Sequence, residues 1–413
     1  MKVVLYSPTS FTPGCGVGDH GIRLAVALSC MADVRLATRV AGGEPPPELG
    51  EERVWRLAGR PGAGRRSLDR EFARFRPDVF LLEYAPHLGS PRGLDRSGLL
   101  AAFAARRRRV PVVLFFHEIA SPWSLEPAAL VTGCHQRAVA LLLLGLSRGA
   151  IVTSFERVRD LTRLGGTRRL PVVLIPIGSN VRASRWTSED RSRRRASRGI
   201  ADGSFVLSLF GRDHWSRRTG PALAALDLLV AEGMDAHLVV LGLAGRALSG
   251  VAHARSRSGV AHARSGETAR VPPALQARVH ILGFLPEDEI SGWLGASDLY
   301  LLPLSDGVST RRTTLAAALA HGLPVLGTRG PNTDPDLFGR EFVRLVPCGE
   351  GDGAFARAAL ILARDPGSRT RLGRAAKKAH DELFAWDVAA RRVIEFATRS
   401  GAAHRAGIGS CRA

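Results

Sequence analysis

The chain has 413 residues, more than one ordinary hydrophobic core accommodates, so two domains are expected. Hydrophobic residues make up 45% and charged residues 23%, a composition typical of soluble globular proteins. The formal net charge is +20 and comes almost entirely from arginine. Such a charge favours phosphates, acidic lipid surfaces or nucleic acid as partners, although we attribute most of the arginine to genomic G+C bias.

Secretion and membrane insertion are not expected from the apolar pattern. No apolar run approaches the roughly 20 residues that cross a bilayer, and the longest candidate, at residues 138–146, is interpreted as the buried face of a helix. The N-terminus lacks a secretory signal and begins with a strand. Five dispersed cysteines without a CxxC pair fit neither a disulfide framework nor a zinc site. We therefore expect a cytoplasmic protein with mostly buried, reduced thiols.

Short continuous apolar runs alternate with helical patterns along the chain, which predicts parallel sheets covered on both faces. The first half contains predicted helices at 22–32 and 99–107 and predicted strands at 3–6, 34–37, 79–82, 112–116, 150–153 and 172–175. The arginine-rich segment 185–198 is predicted to be an inter-domain linker or a solvated helix. A second series of strands is predicted at 206–210, 237–241, 279–282, 299–302 and 324–327. Two such series predict two doubly wound α/β domains facing a cleft.

A nine-residue near-repeat, SGVAHARSR followed by SGVAHARSG, occupies residues 249–266. Its composition carries no pattern that would form a core, so we interpret it as a surface loop expansion. His253 and His262 lack neighbouring carboxylates or thiolates, which disfavours a metal site. Residues 401–413 are predicted to be a disordered tail.

Glycines 14, 16 and 18 lie between the first strand and the first helix. Glycines in such a turn let a ligand approach backbone N–H groups at a helix N-terminus. The dinucleotide fingerprint is incomplete, because Asp19 stands at its third glycine position and no acidic residue ends a strand about twenty positions later. A nicotinamide dehydrogenase is therefore disfavoured, and a bare structural turn is the alternative.

Polar side chains also end two other predicted strands. His117 and Glu118 follow the strand at 112–116, at the carboxyl edge where open α/β sheets bind ligands. A histidine there can donate to a substrate oxygen or carry a proton, and the alternative is a hydrogen bond to a loop backbone. Glu83 ends another strand and is a similar candidate.

The first strand of the second half is followed by Gly211 and Arg212, and Arg217 precedes the next helix. Two cations beside a strand-to-helix turn can clamp a diphosphate, because guanidinium groups bind phosphate oxygens bidentately. The alternative is that these arginines are simply exposed to solvent.

The most informative segment is 305–328, in which a strand, a polar loop, an alanine-rich helix and another strand follow one another. We predict that backbone N–H groups of residues 307–310 face an anion at the N-terminus of this helix. A tightly packed βαβ unit would explain the alanines but not the polar residues of the loop. The residues predicted to bind substrate here are Asp306, Gly307, Val308, Ser309, Thr310 and Arg311, with Arg312 beside them.

Taken together, these segments resemble the GT-B glycosyltransferases, and most closely the retaining nucleotide-sugar enzymes of family four. The matching segments follow the order of the family: GVGDH at 16–20, His117, IPIGSNV at 175–181, FGR at 210–212, LGFLPEDEI at 282–290 and ALAHGLPVLGT at 318–328. The resemblance implies two Rossmann-like domains, one on the acceptor side at 1–190 and one for the donor at 191–380. It also implies a helix at 381–400 that packs back on the first domain.

Residue roles in the first domain follow from the same resemblance. It implies that Gly16 and Gly18 face the donor diphosphate or the acceptor, with Asp19 and His20 nearby. His117 would contact the donor sugar.

In the second domain Arg212 matches the family's phosphate-binding arginine, and Arg217 stands where a lysine is usual. The family also carries two glutamates eight positions apart. Counted back from Gly322, these positions hold Ser309 and Ala317, so neither glutamate is present.

The implied function is transfer of a sugar, with retention and without a metal or other cofactor, from a nucleoside-diphosphate sugar to an acceptor hydroxyl. The acceptor would be a small molecule, a lipid-linked molecule or a glycan. The alternatives are an inactive relative that binds nucleotide sugar and a nucleotide-sugar epimerase using Glu83 and Glu118. Nucleic acid is not expected as a partner, since aromatic residues are only 6% of the chain. Arginine clusters such as residues 106–109 are expected to lie on a solvated face or to dock on anionic lipid near a membrane-bound acceptor.

Overall fold

The computed structural model describes residues 1–12, 14–57, 63–88, 93–121, 123, 125–165, 170–212, 214–242 and 270–409, without the side chains of 63–66, 335–336 and 401–409. The chain divides into two compact units. Unit 1 contains Met1–Ile177 and the chain from Trp386 onward, and unit 2 contains the chain from Gly178 to Ala385. The sequence analysis placed these borders at 190 and 380. The near-repeat at 249–266 lies outside the described residues.

Unit 1 is built on a parallel sheet. Its strands are β1 (Lys2–Tyr6), β2 (Asp33–Thr38), β3 (Val54–Arg56), β4 (Val79–Tyr84), β5 (Val112–Phe116), β6 (Gly149–Val152) and β7 (Val172–Leu174). They lie in the order β3-β2-β1-β4-β5-β6-β7. Apolar runs such as VFLLEY in β4 are buried at every position, because helices cover both faces of the sheet. The chain reverses its direction of winding between β1 and β4, where open sheets bind ligands at their carboxyl edge.

The helices of unit 1 that precede the domain border are α1 (Gly16–Ser29), α2 (Ala63–Phe75), α3 (Ser97–Arg107), α4 (Pro127–Leu146) and α5 (Phe155–Arg163). Residues of α2, α3 and α4 share one hydrophobic core with the strands, and α1 belongs to the core on the opposite face. The predicted strands of this half are confirmed to within two residues at each end. The short edge strand β3 was not predicted.

Helix α1 begins earlier than predicted. The sequence analysis placed its start at residue 22, but it begins at Gly16 because Cys15 caps it, the Cys15 Sγ accepting a hydrogen bond from the Gly18 amide at 3.4 Å. Gly16 and Gly18 therefore lie in the first turn of the helix, and the predicted glycine loop is shorter than expected.

Helix α4 corrects the interpretation of its apolar run. It has 20 residues with a mean hydropathy of 1.5 and so is long and apolar enough to cross a membrane by length and composition, which the sequence analysis did not expect. Val139 and Leu143 are buried against the sheet, but Leu141 and Leu142 are 46% and 53% exposed. The run 138–146 therefore supplies both a buried and an exposed face.

Unit 2 repeats the architecture. Its strands are β8 (Phe205–Phe210), β9 (Ala236–Leu241), β10 (Val279–Gly283), β11 (Leu299–Leu302), β12 (Val325–Arg329) and β13 (Arg344–Pro347). They form a parallel sheet in the order β10-β9-β8-β11-β12-β13. Its helices are α6 (Ser188–Ala196), α7 (Gly220–Ala231), α8 (Glu287–Gly295), α9 (Thr313–Ala320), α10 (Pro335–Phe338), α11 (Gly351–Arg364) and α12 (Pro366–Ala379). The strand order again reverses beside the first strand, between β8 and β11.

The polar segment 185–198 is a helix that is anchored in unit 2. Thr187 and Asp190 form a capping box at the start of α6. Arg195 is only 2% exposed, and its guanidinium donates to the carbonyl oxygens of Ala296, Asp202 and Ser204. The prediction of a linker or a solvated helix is therefore wrong for this arginine, which is buried because all of its donors find acceptors.

The chain returns to unit 1 through α13 (Trp386–Gly409). Residues 389–397 of this helix join the same core as Leu24, Leu28 and Phe115. Of the predicted disordered tail 401–413, the backbone is helical to Gly409. Four cysteines are described and each is exposed or half-buried, so the expectation of mostly buried thiols is wrong.

Candidate functional site

Three buried polar side chains meet at the carboxyl edge of the unit 1 sheet. The Nδ1 atom of His20 in α1 donates to Oε1 of Glu83, the penultimate residue of β4, at 2.5 Å. The Nε2 atom of His117, which follows β5, lies 3.5 Å from the same oxygen. The sequence analysis selected these residues separately, and the fold brings them together because β4 and β5 are neighbours in the sheet.

Close backbone approach makes this cluster possible. A Cβ atom on Gly21 would lie 2.2 Å from Oγ of Ser7 and 2.9 Å from Oε2 of Glu83, so only glycine fits there. A Cβ atom on Gly18 would lie 2.3 Å from the carbonyl oxygen of Thr9. These two glycines allow α1 to pack directly on the end of β1, which brings His20 within reach of Glu83.

Aromatic rings enclose the His20 side chain. The ring of Trp386, at the start of α13, lies 5.2 Å from the His20 ring, and the Phe115 ring lies 4.7 Å from it. The His117 ring makes an edge contact with His20 at 4.6 Å and stacks on Phe115. The cluster is therefore held in an environment with few polar neighbours.

The protonation of the pair follows from this environment. Burial would raise the pKa of Glu83, but the charge of His20 and hydrogen bonds from His117 and His20 outweigh it and lower the pKa to about 2. Burial lowers the pKa of His20, and Glu83 opposes that shift only in part. At neutral pH we infer an ionised Glu83 that accepts a hydrogen bond from a neutral His20 ring.

Among the described residues, His20, Glu83 and His117 are also the group that could hold a metal ion, since their ligand atoms lie within 4.8 Å of one another. Two ligands of one zinc ion are separated by roughly 3.3 Å in a tetrahedral site with bonds of about 2.0 Å. The His20–Glu83 hydrogen bond of 2.5 Å is shorter, so this pair would have to open before both groups could bind an ion.

Three other predicted residues of unit 1 lie apart from this cluster. Glu118 is exposed although it directly follows the buried His117. Asp19 is half-buried in the first turn of α1. Gly16 is exposed, and a Cβ atom there would meet nothing within 4 Å.

The predicted site of unit 2 lies where the loops after β8 and β11 pair with each other. Arg217 and Leu304 form an antiparallel bridge, and the Arg218 amide donates to the Pro303 carbonyl oxygen at 3.0 Å. Gly211 has a φ of 128°, and a Cβ atom on it would lie 2.6 Å from Nη2 of Arg217. Gly211 therefore lets the buried guanidinium of Arg217 lie across the end of β8.

Asp306 is buried, and its Oδ2 atom is the acceptor that organises the loop before α9. Arg312 donates to it at 2.8 Å, Arg311 lies 3.4 Å away, and the side-chain amide of Asn332 donates at 3.3 Å. The loop is further fixed by Gly307, whose backbone lies so close to Gly330 that a Cβ atom would come within 2.3 Å of the Gly330 nitrogen. Asp306 therefore positions the two arginines of the predicted site.

His214 and Ser216 extend this network. Nη2 of Arg312 donates to Oγ of Ser216 at 2.9 Å, and that hydroxyl lies 2.7 Å from Nδ1 of His214. The Ser216 amide also donates to Nδ1 at 3.1 Å, which leaves the ring proton on Nε2. Burial, together with the Arg312 and Arg311 guanidiniums, lowers the pKa of His214 to about 3. His214 is thus a neutral donor in a positively charged environment.

Several buried polar atoms at this edge have no hydrogen-bond partner among the described residues. They are Nε and Nη1 of Arg217, Oδ1 of Asp306 and Oγ of Ser309. Buried groups of this kind are normally satisfied by protein, water or a ligand. The arrangement offers guanidinium donors and one hydroxyl to a polyanion, with one carboxylate oxygen as an acceptor.

The predicted row of anion-facing backbone amides is wrong for Gly307 and Val308. The Gly307 amide donates to the Leu304 carbonyl oxygen at 3.2 Å, and the Val308 amide donates to that of Thr328 at 2.9 Å. Both amides are used within the protein because the loop packs against the end of β12. Helix α9 begins at Thr313, so residues 307–310 do not form its first turn. Ser309 and Thr310 are buried in this loop.

The two positions where the resemblance places glutamates differ in environment. Ser309 is 1% exposed, and its hydroxyl is one of the atoms without a described partner. Ala317 lies in the core-facing part of α9 and is fully buried. Arg212, which the resemblance matches to a phosphate-binding arginine, is exposed one residue after Gly211.

Sequence reasoning missed His214, Ser216, Asn332 and, in unit 1, Gly21. Asn332 follows the end of β12, so the strand-end rule used for His117 would have found it. His214 and Ser216 lie inside the loop between Arg212 and Arg217, and no spacing pattern distinguishes them.

Similarity to known proteins extends over both units. Residues 205–365, which include most of unit 2, match the family model described as Glycosyl transferases group 1. No curated protein matches the sequence of this chain.

Solved structures match almost the whole chain. Sucrose-phosphate synthase from Thermosynechococcus elongatus has a TM-score of 0.67 at 18% identity, with 98% of this chain and 100% of that chain covered. Anabaena HepE in complex with UDP-glucose has a TM-score of 0.66 at 18% identity, with 97% and 100% covered. WaaG, a glycosyltransferase involved in lipopolysaccharide biosynthesis, has a TM-score of 0.59 at 15% identity, with 93% and 97% covered. The predicted GT-B fold is therefore confirmed.

Proposed function

We propose that this chain is a glycosyltransferase that moves a sugar from a nucleoside-diphosphate sugar to an acceptor hydroxyl, and that unit 2 holds the donor. The match to a glycosyltransferase family model over residues 205–365 supports this proposal, because that range contains Arg217 and the Asp306 loop. The similarity to a protein in complex with UDP-glucose supports a nucleotide sugar as the donor.

The buried guanidinium of Arg217 is the observation that carries the proposal. A cation buried at the carboxyl edge with two donor atoms lacking a described partner is costly unless an anion binds it. A diphosphate would take hydrogen bonds from Arg217 and from the arginines held by Asp306. As the bond to the sugar breaks, these donors would stabilise the charge on the leaving phosphate, which is the main catalytic effect available here.

The finer points of the reaction are part of the same proposal. We assign His117 to the hydroxyl groups of the donor sugar, Arg212 to the diphosphate, and the first turn of α1 to the acceptor side. We further propose that transfer proceeds with retention and without a metal ion. Chelation with EDTA should then leave the rate of transfer unchanged.

Ligand binding is the first test, since a ligand of the native state raises its thermal stability. We would screen nucleoside diphosphates and nucleotide sugars for a rise in the unfolding temperature, and then measure release of nucleoside diphosphate from each sugar that binds. Arg212→Ala is expected to retain the fold, because this residue is exposed, and to lower transfer at least about 100-fold. Arg340→Ala, at another exposed arginine of unit 2, is the matched control. Full transfer activity in Arg212→Ala would contradict the assignment.

A glycine variant tests the role of Arg217 without removing it. In Gly211→Ala the new methyl group would displace the Arg217 guanidinium, so the dissociation constant of the nucleoside diphosphate should rise at least about tenfold. Gly233→Ala is the matched control, because Gly233 also has a positive φ, of 77°, and a Cβ atom there meets nothing within 4 Å. Equal affinity of the two variants for the nucleotide would show that Arg217 does not hold it.

Two alternatives are separated by the same assays. An epimerase needs an acid and a base beside the sugar, whereas Glu83 is held ionised by its histidines and Glu118 is exposed. Turnover of a nucleotide sugar without any acceptor and without release of the nucleotide would favour it. An inactive relative would bind the nucleotide sugar tightly without release of the nucleoside diphosphate.

A further inference from the structure

Helix α4 of unit 1 exposes an apolar stripe along its length. Val131, Cys134, Ala138 and Leu141 follow one another at intervals of three or four residues and are all exposed, which places them on one face of the helix. Val131 is 67% exposed and Leu142, beside the stripe, is 53% exposed. Arg137 is the one charged residue in the sequence of α4. A solvent-facing helix surface normally carries charged and polar side chains, so this face is unusual.

Two elements next to α4 expose further apolar side chains. Helix α3 packs beside α4 and exposes Leu100 and Phe103, which are 38% and 42% exposed. The loop before α4 exposes Trp123 and Leu125, the latter at 97%. The Arg137 guanidinium of α4 stacks on the Trp123 ring at 3.7 Å, which holds this loop beside the helix. Exposed apolar residues on such neighbouring elements indicate an interaction surface.

An arginine-lined pocket lies at the carboxyl end of α4. It has a volume of about 300 Å³ and is lined by Arg106, Arg109 and Arg148 together with Leu146 and residues 110–112. No acidic residue lines it. In the part of the chain that the structure describes, the side chains of Arg106 and Arg109 form no hydrogen bond or ion pair, whereas the neighbouring Arg108 pairs with Asp69.

The pocket and the candidate catalytic cluster lie at opposite edges of the sheet. Val112 begins β5 and Arg148 immediately precedes β6, so the pocket is at the amino edge. His117 follows the other end of β5, about 16 Å away for five residues at roughly 3.3 Å each. The pocket is therefore separate from the site already described.

We propose that this surface binds an anionic phospholipid membrane, with a lipid phosphate in the arginine pocket and the apolar stripe of α4 against the glycerol and acyl region. Charge complementarity selects the occupant, since the pocket is lined by arginines and by no acidic residue, which matches phosphates and not an apolar protein face. Helix α4 lies in the membrane plane and does not cross it, because its opposite face is buried against the sheet. The proposal depends on unit 1 alone and not on the proposed donor site.

Vesicle binding tests the proposal directly. The full chain is sedimented with vesicles of phosphatidylcholine alone and with vesicles containing about 30% phosphatidylglycerol, at low and at high salt. We expect at least tenfold stronger binding to the anionic vesicles, weakened by salt. Absence of binding to the anionic vesicles would overturn the proposal.

Matched variants separate the two halves of the surface. The double variant Arg106→Glu with Arg109→Glu should weaken binding to the anionic vesicles at least about tenfold. The control is Arg357→Glu with Arg374→Glu, at two exposed arginines of unit 2, which should retain most of the vesicle binding. The double variant Val131→Gln with Leu142→Gln should weaken the vesicle binding that remains at high salt. The control is Phe284→Gln with Ile361→Gln, at two exposed apolar residues of unit 2, which should leave that binding unchanged. An equal loss in test and control variants would mean a general effect of charge or hydrophobicity and would overturn the proposal.

A soluble phosphate has the same chemistry as a lipid phosphate, and two measurements distinguish these two ligands of the arginine pocket. If about 10 mM glycerol phosphate abolishes vesicle binding and the apolar variant binds like the wild type, the pocket serves a free anion and the proposal is wrong. Quenching of tryptophan emission by brominated lipid, lost in Trp123→Phe, would place the loop before α4 in the membrane interface. Quenching unchanged by that substitution would overturn this placement.

Discussion

Glu83 is a carboxylate in one of the least favourable places for a charge, 1% exposed among aromatic rings. Its stability there depends on His20, which donates at 2.5 Å, and on His117 at 3.5 Å from the same oxygen. A buried charge that keeps its partners is tolerated, and one that loses them is strongly destabilising. The cluster is therefore both a candidate functional group and a structural tie between α1, β4 and the end of β5.

Replacing this carboxylate should change how stability depends on pH. The pKa of Glu83 is about 2 in the folded protein and 4.5 as the ordinary value, so its contribution is complete above pH 4.5 and is lost as the pH falls toward 2. Glu83→Gln should lower the free energy of unfolding of unit 1 by roughly 3 kcal/mol at pH 7. Urea denaturation at several pH values should show a smaller acid-induced loss in this variant than in the wild type.

The control for this prediction is the other strand-end glutamate. Glu118 is exposed, so Glu118→Gln should leave both the free energy of unfolding and its pH dependence unchanged within about 0.5 kcal/mol. If Glu83→Gln behaves like Glu118→Gln, the contacts between the Glu83 carboxylate and its two histidines do not stabilise unit 1.

At the scale of elements, Arg195 explains why a very polar helix has a fixed place in unit 2. Its Nε and Nη2 atoms both donate to the Ala296 carbonyl oxygen, and Nη2 also lies 2.7 Å from Oδ2 of Asp298. Asp298 in turn accepts a hydrogen bond from the Val206 amide at the start of β8. One arginine thus joins α6 to the residues between α8 and β11 and to the first strand of the sheet.

A conservative substitution should reveal this anchoring. Arg195→Lys keeps the charge but cannot reproduce five donors in a planar fork, so buried carbonyl groups would be left without partners. We expect the free energy of unfolding of unit 2 to fall by about 3 kcal/mol, measured by denaturant unfolding. The control is Arg193→Lys, at a side chain on the same helix that is 78% exposed, and a comparable loss there would contradict the anchoring role.

The sequence predicts elements where local pattern and burial agree. The long apolar strands, such as β4 and β5, are recognisable because both faces are covered. The edge strands β3 and β13 are not, since VWR and RLVP are short and only partly buried. The start of α1 was missed because a cysteine cap is not a usual signal.

Some site residues can be predicted from the sequence pattern, and others only from the folded structure. His117 and Glu83 are predictable because strand ends share one edge of a sheet. The contact of His20 with both of them is not, since it depends on the close approach that Gly18 and Gly21 permit. The burial of Arg195 could not be predicted from the charged sequence of α6. It depends on hydrogen-bond acceptors that other segments of unit 2 supply, and not on the local sequence pattern.

At the scale of the whole molecule, two units with separate hydrophobic cores should not unfold as one. We expect two transitions in a calorimetric scan. Glu83→Gln should lower the temperature of one transition and Arg195→Lys that of the other, which assigns each transition to a unit. A single transition shifted by both variants would contradict this independence.

If unit 2 holds the donor, a nucleoside diphosphate that binds should raise only the transition that Arg195→Lys lowers. An equal shift of both transitions would assign the nucleotide to both units and contradict binding by unit 2 alone.

The return of the chain to unit 1 through α13 has a consequence for synthesis on the ribosome. Ile175 precedes the unit border, yet the core around Leu24 and Leu28 is completed only by Val393 and Phe396. About 200 residues of unit 2 are made in between, which takes roughly 10–40 s at 5–20 residues per second. During that interval the nascent unit 1 exposes one apolar face, so it is the part of this protein that most needs a chaperone before translation ends.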